Sequence, residues 1–338
     1  MTPESPRSID GRELKGPEQF LREVVEPCQP VVLQGLIPAW PIIEAARRSP
    51  ASVRDHLLPL DNGKQIEAFF GAPAIAGKYF YAEDMKGFNF ERRRLKFREA
   101  LETIVSYLDM PGSPSVYMGS VPTNEYLPGF DVLNPMPLLN PGIHPRIWIG
   151  HASNVSAHYD TMDNLACVAA GTRRFTLFAP HLIDKLYVGP IDHTMAGQPV
   201  SLAASSAPDR ERFPLFEEIK DQALVAELAP GDALYLPKLW WHKVESTAPF
   251  NVLVNYWWDA FRSGPDAPYT SLLLSMITIA ERPPAERQAW QAFFDHYVFR
   301  RHGHPLAHLP PEQHGLLGPL KENYGKIRAR VMHFLRGH

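Results

Sequence analysis

Cysteine is nearly absent from this chain: Cys28 and Cys167 are the only two in 338 residues, and they form no CxxC pair. That argues against a disulfide framework or a thiolate zinc cluster and leaves both as expected buried small apolar side chains. An excess of one charge is also lacking, since 34 Lys and Arg against 37 Asp and Glu leave a net charge of −3. No global field draws in a polyanion, so nucleic acid is unsupported as a partner, although a local basic patch stays open. Long apolar runs are missing too. The clearest, Leu272 to Ala280 and Phe250 to Trp258, fall far short of the ~20 residues that cross a bilayer, so no membrane partner is expected. The start, Met-Thr-Pro-Glu-Ser-Pro-Arg, lacks the basic-then-apolar order of an export signal, and the expected location is cytoplasmic.

What is present is 45% hydrophobic residues, enough for a proper core, and 34 prolines. That is about twice the usual ~5% proline, which favours many short elements with fixed turns over a helical bundle or doubly wound sheet. Residues 17–26 and Pro41 to Arg48 read as helices, Val31 to Leu33, Gln65 to Phe70 and Lys78 to Tyr81 as strands, and Arg98 to Leu108 as an amphipathic helix. From Ser115 to Asp259 strand-length apolar runs alternate with Gly, Pro, Asn and Asp: SVYMGS, RIWIG, NLACVAA, RRFTLFAP, ALYLP and FNVLVNYWW. Such runs suggest an antiparallel sandwich or barrel, with Asn134 to Pro145 and Met195 to Phe213 as loops. After Asp259 helical segments follow at Pro268 to Glu281, Pro284 to Phe299 and Pro319 to Leu335. The expected organisation is a bracing region over 1–114, a β core over 115–260 and a helical region over 261–338.

His158 and Asp160 stand two residues apart in NVSAHYD, a spacing that turns both side chains to one face of an extended strand. Taken alone this is weak, and a polar turn explains it as well. The stronger signal is His242, placed just after GDALYLP and two tryptophans, where a strand returns a third ligand to the first two. Two imidazoles and a carboxylate make a facial triad with open positions on iron(II), whereas zinc more often takes a closed or thiolate-rich set. The late histidines His302, His304 and His308 lie among Pro, Gly and Leu between helices and are not expected to form a second site.

The motifs NVSAHYDTMDN, GTRRFTLFAP, GDALYLPKLWWHKVES and LVNYWW, in this order over roughly residues 30–260, resemble the cupin-like JmjC oxygenases. Within that family the pattern is most similar to the asparaginyl hydroxylase that inhibits the hypoxia-inducible factor, while the tail resembles bacterial cupin-like proteins. The resemblance implies a mainly β fold with α, a double-stranded β-helix (the cupin jelly roll) with N-terminal helices and a C-terminal helical extension. It implies Fe(II) on His158, Asp160 and His242, with 2-oxoglutarate as cosubstrate and O2 as oxidant. Asn164 and Asn255 are similar to the amides that line the cosubstrate pocket, and Tyr117 to the tyrosine that donates to the far carboxylate. Arg173 stands where the family usually has lysine, Val155 stands where it often has threonine, and Ser156 is the nearby hydroxyl that could contact the cosubstrate instead.

The expected activity is hydroxylation of a protein or peptide side chain or of a small molecule. One alternative is a metal-binding cupin that senses or carries a ligand without turnover, and another is an RNA hydroxylase of the same superfamily. Selectivity is expected in Leu127 to Pro145 and Met195 to Pro214. In the tail, Leu272, Leu273, Leu274, Met276, Ile277 and Ile279 leave one helix almost no polar face, and Trp290, Phe293, Phe294, Tyr297 and Val298 stripe the next. Surfaces of this kind, together with the resemblance, imply a homodimer through the C-terminal helices.

Overall fold

A computed structural model of the chain describes residues 4–82, 86–194, 197–205, 209, 211–262 and 264–337. Residues 195, 196, 206–208 and 210, within the expected selectivity segment, lie outside those described. The chain forms two compact units, Met1–Ala260 and Phe261–His338.

The strands of the first unit are β1 (Arg7–Asp10), β2 (Val31–Gln34), β3 (Gln65–Gly71), β4 (Lys78–Tyr79), β5 (Phe90–Lys96), β6 (Ser115–Pro122), β7 (Arg146–Gly150), β8 (Ser153–His158), β9 (Asp163–Ala170), β10 (Arg173–Phe178), β11 (Leu224–Leu228), β12 (Ala233–Leu236), β13 (Trp241–Ser246) and β14 (Asn251–Trp258). They build a nine-stranded sheet in the order β1-β2-β12-β9-β14-β7-β6-β3-β5 and a five-stranded sheet in the order β11-β10-β13-β8-β4. From β7 to β14 the chain crosses between the sheets at every step except the β10 to β11 connection. Two sheets wound together in this way are the double-stranded β-helix, the fold expected from the sequence.

Alternation along the strands explains the two cores. Leu165, Cys167 and Ala169 of β9, with Val252, Val254 and Tyr256 of β14, face outward and pack with residues from the helices Pro41–Arg48, Pro50–Leu57 and Phe97–Tyr107. Ala166, Val168 and Leu253 turn the other way and meet Phe175, Leu177 and Val244 of the small sheet. The strands before residue 115 belong to these same two sheets.

Several local readings change. Residues 17–26 begin as an α-helical turn, Pro17–Phe20, and continue as a wider π turn over Leu21–Val25. The helix Pro50–Leu57 was not anticipated, although its signal is plain: Ser49 caps it through Ser52 N–H, and Pro50 opens it. Cys167 is buried, but Cys28 is exposed with a φ of 51°, in a tight turn that holds its thiol outside the core. Among the described residues no helix is long and apolar enough to cross a membrane.

The second unit contains the helices Pro268–Ile279, Pro284–Tyr297 and Leu320–Arg336. Within it Arg328 Nε reaches Asp266 Oδ2 at 2.9 Å, and Tyr324 hydrogen-bonds the same carboxylate. His304 and His314 stack with ring centroids 4.4 Å apart, and each binds a backbone carbonyl, which occupies them structurally.

Candidate metal centre

His158 ends β8 and His242 begins the body of β13, and the antiparallel register sets them directly opposite each other. Their ring centroids are 4.3 Å apart. In each ring Nδ1 lies 3.0 Å from a carbonyl oxygen, that of Ser156 for His158 and that of Trp240 for His242. A carbonyl can only accept, so each Nδ1 carries a proton and Nε2 is the ring nitrogen left to face a ligand. His242 Nε2 is 3.7 Å from Asp160 Oδ2, and one donor atom from each of the three side chains falls within 4.8 Å of the others. Burial, reinforced by His158, lowers the His242 imidazole to about 4, which keeps it neutral and ready to ligate at physiological pH.

The carboxylate is held as deliberately as the rings. Trp257 Nε1 donates to Asp160 Oδ2 at 3.1 Å, and Asn164 Nδ2 donates to the same oxygen at 3.4 Å. Asn164 Oδ1 in turn accepts from Asn255 Nδ2 at 3.1 Å, and Asn255 Oδ1 accepts from Trp148 Nε1 at 2.6 Å. These side chains lie on β7, β14 and β9, neighbours in the large sheet, so pairing alone aligns them on one face. The loop leading to His242 is tied down as well. Leu239 N–H donates to the Asp160 carbonyl at 2.8 Å, and the Lys238 ammonium lies 3.2 Å from buried Asp163. Asp163 also accepts from the Tyr235 hydroxyl at 3.0 Å, and the Gly231-Asp232 turn is closed by Asp232 accepting from Ala229 and Gly35 N–H.

Two strands away from the carboxylate, the small sheet turns Arg173 inward and Arg174 outward. Arg173 is 3% exposed, and its Nε and Nη2 have no partner among the described residues. Arg174 is exposed, with Glu227 as a distant partner at 3.7 Å. Gly171 delivers Arg173: its φ is 72°, and a Cβ there would come within 2.3 Å of Asn251 Oδ1. Tyr117 stands beside the guanidinium; burial pushes its phenol up while Arg173 pulls it back. A Cβ on Gly150 would lie 2.8 Å from the Tyr117 ring, so the glycine makes room for it. Ser246 faces Arg173 across the β10–β13 pair, and its buried Oγ is also without a partner.

Of the residues singled out from sequence, the structure gathers His158, Asp160, His242, Asn164 and Asn255 into one bonded group and sets Arg173 with Tyr117. Ser156 is buried and contributes its carbonyl to His158, while Val155 pairs with Val244, on the face that carries His242. Sequence reasoning missed Ser246, Trp148 and the donor role of Trp257; the alternation Asn255, Trp257 along β14 was the available signal for the last. It also read Met195 to Phe213 as plain loop, yet Val200 and Ser201 are buried there and bridge to His158 and Ala157 of β8.

Two imidazoles with Nδ1 turned to carbonyls and a braced carboxylate suit a non-haem Fe(II), and a buried cation without a counter-ion suits a carboxylate ligand, so these residues fit the metal and the cosubstrate. The chain is 39% identical to Jumonji C domain-containing protein 5 of Drosophila melanogaster over 115 residues, 34% of this chain and 27% of that protein. It is 32% identical to lysine-specific demethylase JMJ31 of Arabidopsis thaliana over 116 residues, 34% of this chain and 21% of that protein. A longer match, 25% identical over 259 residues, joins 71% of this chain to 74% of tRNA wybutosine-synthesizing protein 5 of Gallus gallus. The first two therefore share only about a quarter of their length with it. Residues 17–264 match the cupin-like domain family, and with fold, triad and match in agreement the chain belongs to that family.

Proposed function

We propose that this protein is an Fe(II)- and 2-oxoglutarate-dependent oxygenase that hydroxylates a protein or peptide side chain or a small molecule. The observation that carries the reading is the pairing of a pre-oriented two-His, one-carboxylate triad with buried Arg173, whose Nε and Nη2 are without a partner among the described residues. Iron(II), 2-oxoglutarate and dioxygen, when bound, supply the oxidising chemistry. The chain's own residues do the positioning. His158, Asp160 and His242 hold the metal, and Arg173 and Tyr117 receive the far carboxylate of the cosubstrate. Asn164 and Asn255 fix the orientation of Asp160, and Phe175, Leu177, Val244 and Trp240 keep the interior dry. Ser156 is retained as a further candidate contact to the cosubstrate. We further propose a cytoplasmic location, on the low cysteine content.

Succinate release from labelled 2-oxoglutarate, measured beside metal content, tests the reading. Wild type is expected to turn over with iron, and His158→Ala, Asp160→Ala and His242→Ala are each expected to lose both iron and turnover. Iron binding without any succinate release identifies a carrier or sensor instead. An RNA substrate is the second reading. It is favoured by the edge strand β5, where Arg92, Arg94 and Lys96 share one face and the Arg92 guanidinium lies 5.1 Å from the Phe88 ring centroid. A salt-dependent tRNA complex lost in Arg92→Glu/Arg94→Glu supports that reading.

A further inference from the structure

Next to the metal triad stands an arginine that the proposed chemistry does not use. Arg146 opens β7 and pairs with Asn255 of β14 on one side and Pro122 of β6 on the other. A β-bulge in β6, between Met118 and Val121, holds Ser120 at a φ of 55°, in the left-handed region that a residue with a Cβ seldom adopts. That strained serine turns its Oγ to Arg146 Nε, which donates to it at 2.5 Å. The guanidinium carbon lies 5.5 Å from the centroid of Trp257, whose indole N–H holds Asp160 Oδ2. Arg146 therefore sits one side chain away from a metal ligand.

Its surroundings answer the charge only from a distance. Arg146 is half-buried, and among the described residues its side chain touches a neutral hydroxyl and an aromatic face, while the Glu125 carboxylate, shared with Lys64, acts on it from beyond ion-pair distance. Lys238, by contrast, meets the carboxylates of Asp163 and Asp259. A partly desolvated cation with no carboxylate in direct contact favours an incoming anion. Because Ser120 occupies Nε, the open edge of the fork is the Nη1 and Nη2 end, whose two parallel donors match a group with two oxygens.

We propose that Arg146 receives an oxyanion of the substrate, a carboxylate or a phosphate, beside the metal triad. Calling the anion a substrate group rests on the oxygenase reading; the anion site itself does not. Titrating the full-length, metal-free protein with methylphosphonate and, separately, with acetate at constant ionic strength, read by indole fluorescence, tests the site. At least one anion is expected to bind saturably, with a dissociation constant raised about tenfold or more in Arg146→Gln and by less in Arg146→Lys, which keeps the charge but not the fork. Equal binding to wild type and Arg146→Gln, or no saturable binding of either anion, overturns the proposal. Which anion answers tells a phosphorylated or nucleic-acid substrate from a carboxylate-bearing one. With Mn(II) loaded and 2-oxoglutarate saturating, the bound anion's phosphorus or carboxyl carbon should relax faster in wild type than in Arg146→Gln. A bound anion that is not relaxed lies away from the triad and overturns the placement. Failure of Mn(II) to bind wild type removes the triad reading alone, since the fluorescence titration still decides on Arg146.

Discussion

Replacing Arg173 with methionine should make the ligand-free protein more stable and the cosubstrate harder to bind, two effects of opposite sign from one side chain. Arg173 is 3% exposed, and two of its nitrogens have no partner, so the fold holds a charge it does not neutralise. Exchanging a buried, poorly compensated charge for an apolar side chain of similar volume is typically neutral or stabilising by about 1–4 kcal/mol. Removing a charge-assisted, two-point contact should weaken 2-oxoglutarate binding by about 2–4 kcal/mol, roughly 30- to 1,000-fold. Arg174→Met is the matched control: its ion pair with Glu227 spans 3.7 Å between exposed side chains, and less than about 0.5 kcal/mol should follow on either count. Thermal unfolding of the zinc- or Mn(II)-loaded protein, with and without 2-oxoglutarate, reads both quantities, since a ligand at free concentration L stabilises by RT ln(1 + L/Kd). An Arg173→Met protein that keeps the full wild-type shift on adding 2-oxoglutarate refutes the assignment. So does an Arg174→Met protein that loses it.

Trp257→Phe keeps the ring but removes the donor to Asp160, and metal affinity measured by competition with a chelating dye should fall about 10- to 100-fold, as for other partners of metal ligands. Asn164→Ala and Asn255→Ala should each weaken the metal, and because the two amides bond each other the double variant should lose less than the sum; strict additivity would show that they act separately. His151 accepts Val116 N–H at Nδ1 and donates Nε2–H to the Ile104 carbonyl, and burial lowers its pKa below the ordinary ~6.5. A lowered histidine stabilises the fold above the unfolded value and loses that contribution as pH falls through it, so acid unfolding of His151→Gln should show a shallower decline below about pH 6.5 than wild type. The tail is proposed as a dimer contact on the strength of its exposed Leu272, Ile277, Phe293 and Phe334, and sedimentation of a monomer at micromolar concentration would remove that idea.

The legible part of this protein was whatever local pattern alone could place. HxD, a later His after a Gly-Asp turn, and runs of alternating apolar residues are short-range signals, and the structure brings the three side chains together, although the strand ends at His158 and Asp160 lies just beyond it. The register was not legible, because no local pattern says that His158 lies opposite His242 or that Ser246 lies opposite Arg173. Bulges broke the simple count as well: the irregularity between His242 and Val244 places Val155, three residues before His158, on the same face as His242. The strand Phe90–Lys96 escaped notice because FERRRLK is almost all charge, and such a sequence makes sense only at a sheet edge, where charges discourage further pairing. Val200 and Ser201 escaped because a buried segment rich in Ser and Ala looks like a loop until its partner strand is known.

The two ends of the site are prepared in opposite ways. At the metal end both Nδ1 atoms and one Asp160 oxygen are already bonded, so the ligands need little reorganisation when a cation arrives. At the proposed cosubstrate end, donors on Arg173 and the hydroxyl of Ser246 are buried without a partner among the described residues. An ordered metal end gives geometry and is nearly neutral for the fold. An unmet cosubstrate end destabilises the fold until a carboxylate fills it, and that deficit is released on binding. Binding of 2-oxoglutarate is therefore expected to tighten β10 and β13 together, since Arg173 and Ser246 lie on adjoining strands of the small sheet. The same β13 carries His242, so filling the cosubstrate end also steadies a metal ligand. The coupling needs no moving lid: it follows from one strand bearing a ligand at its first turn inward and an unmet hydroxyl at its far end.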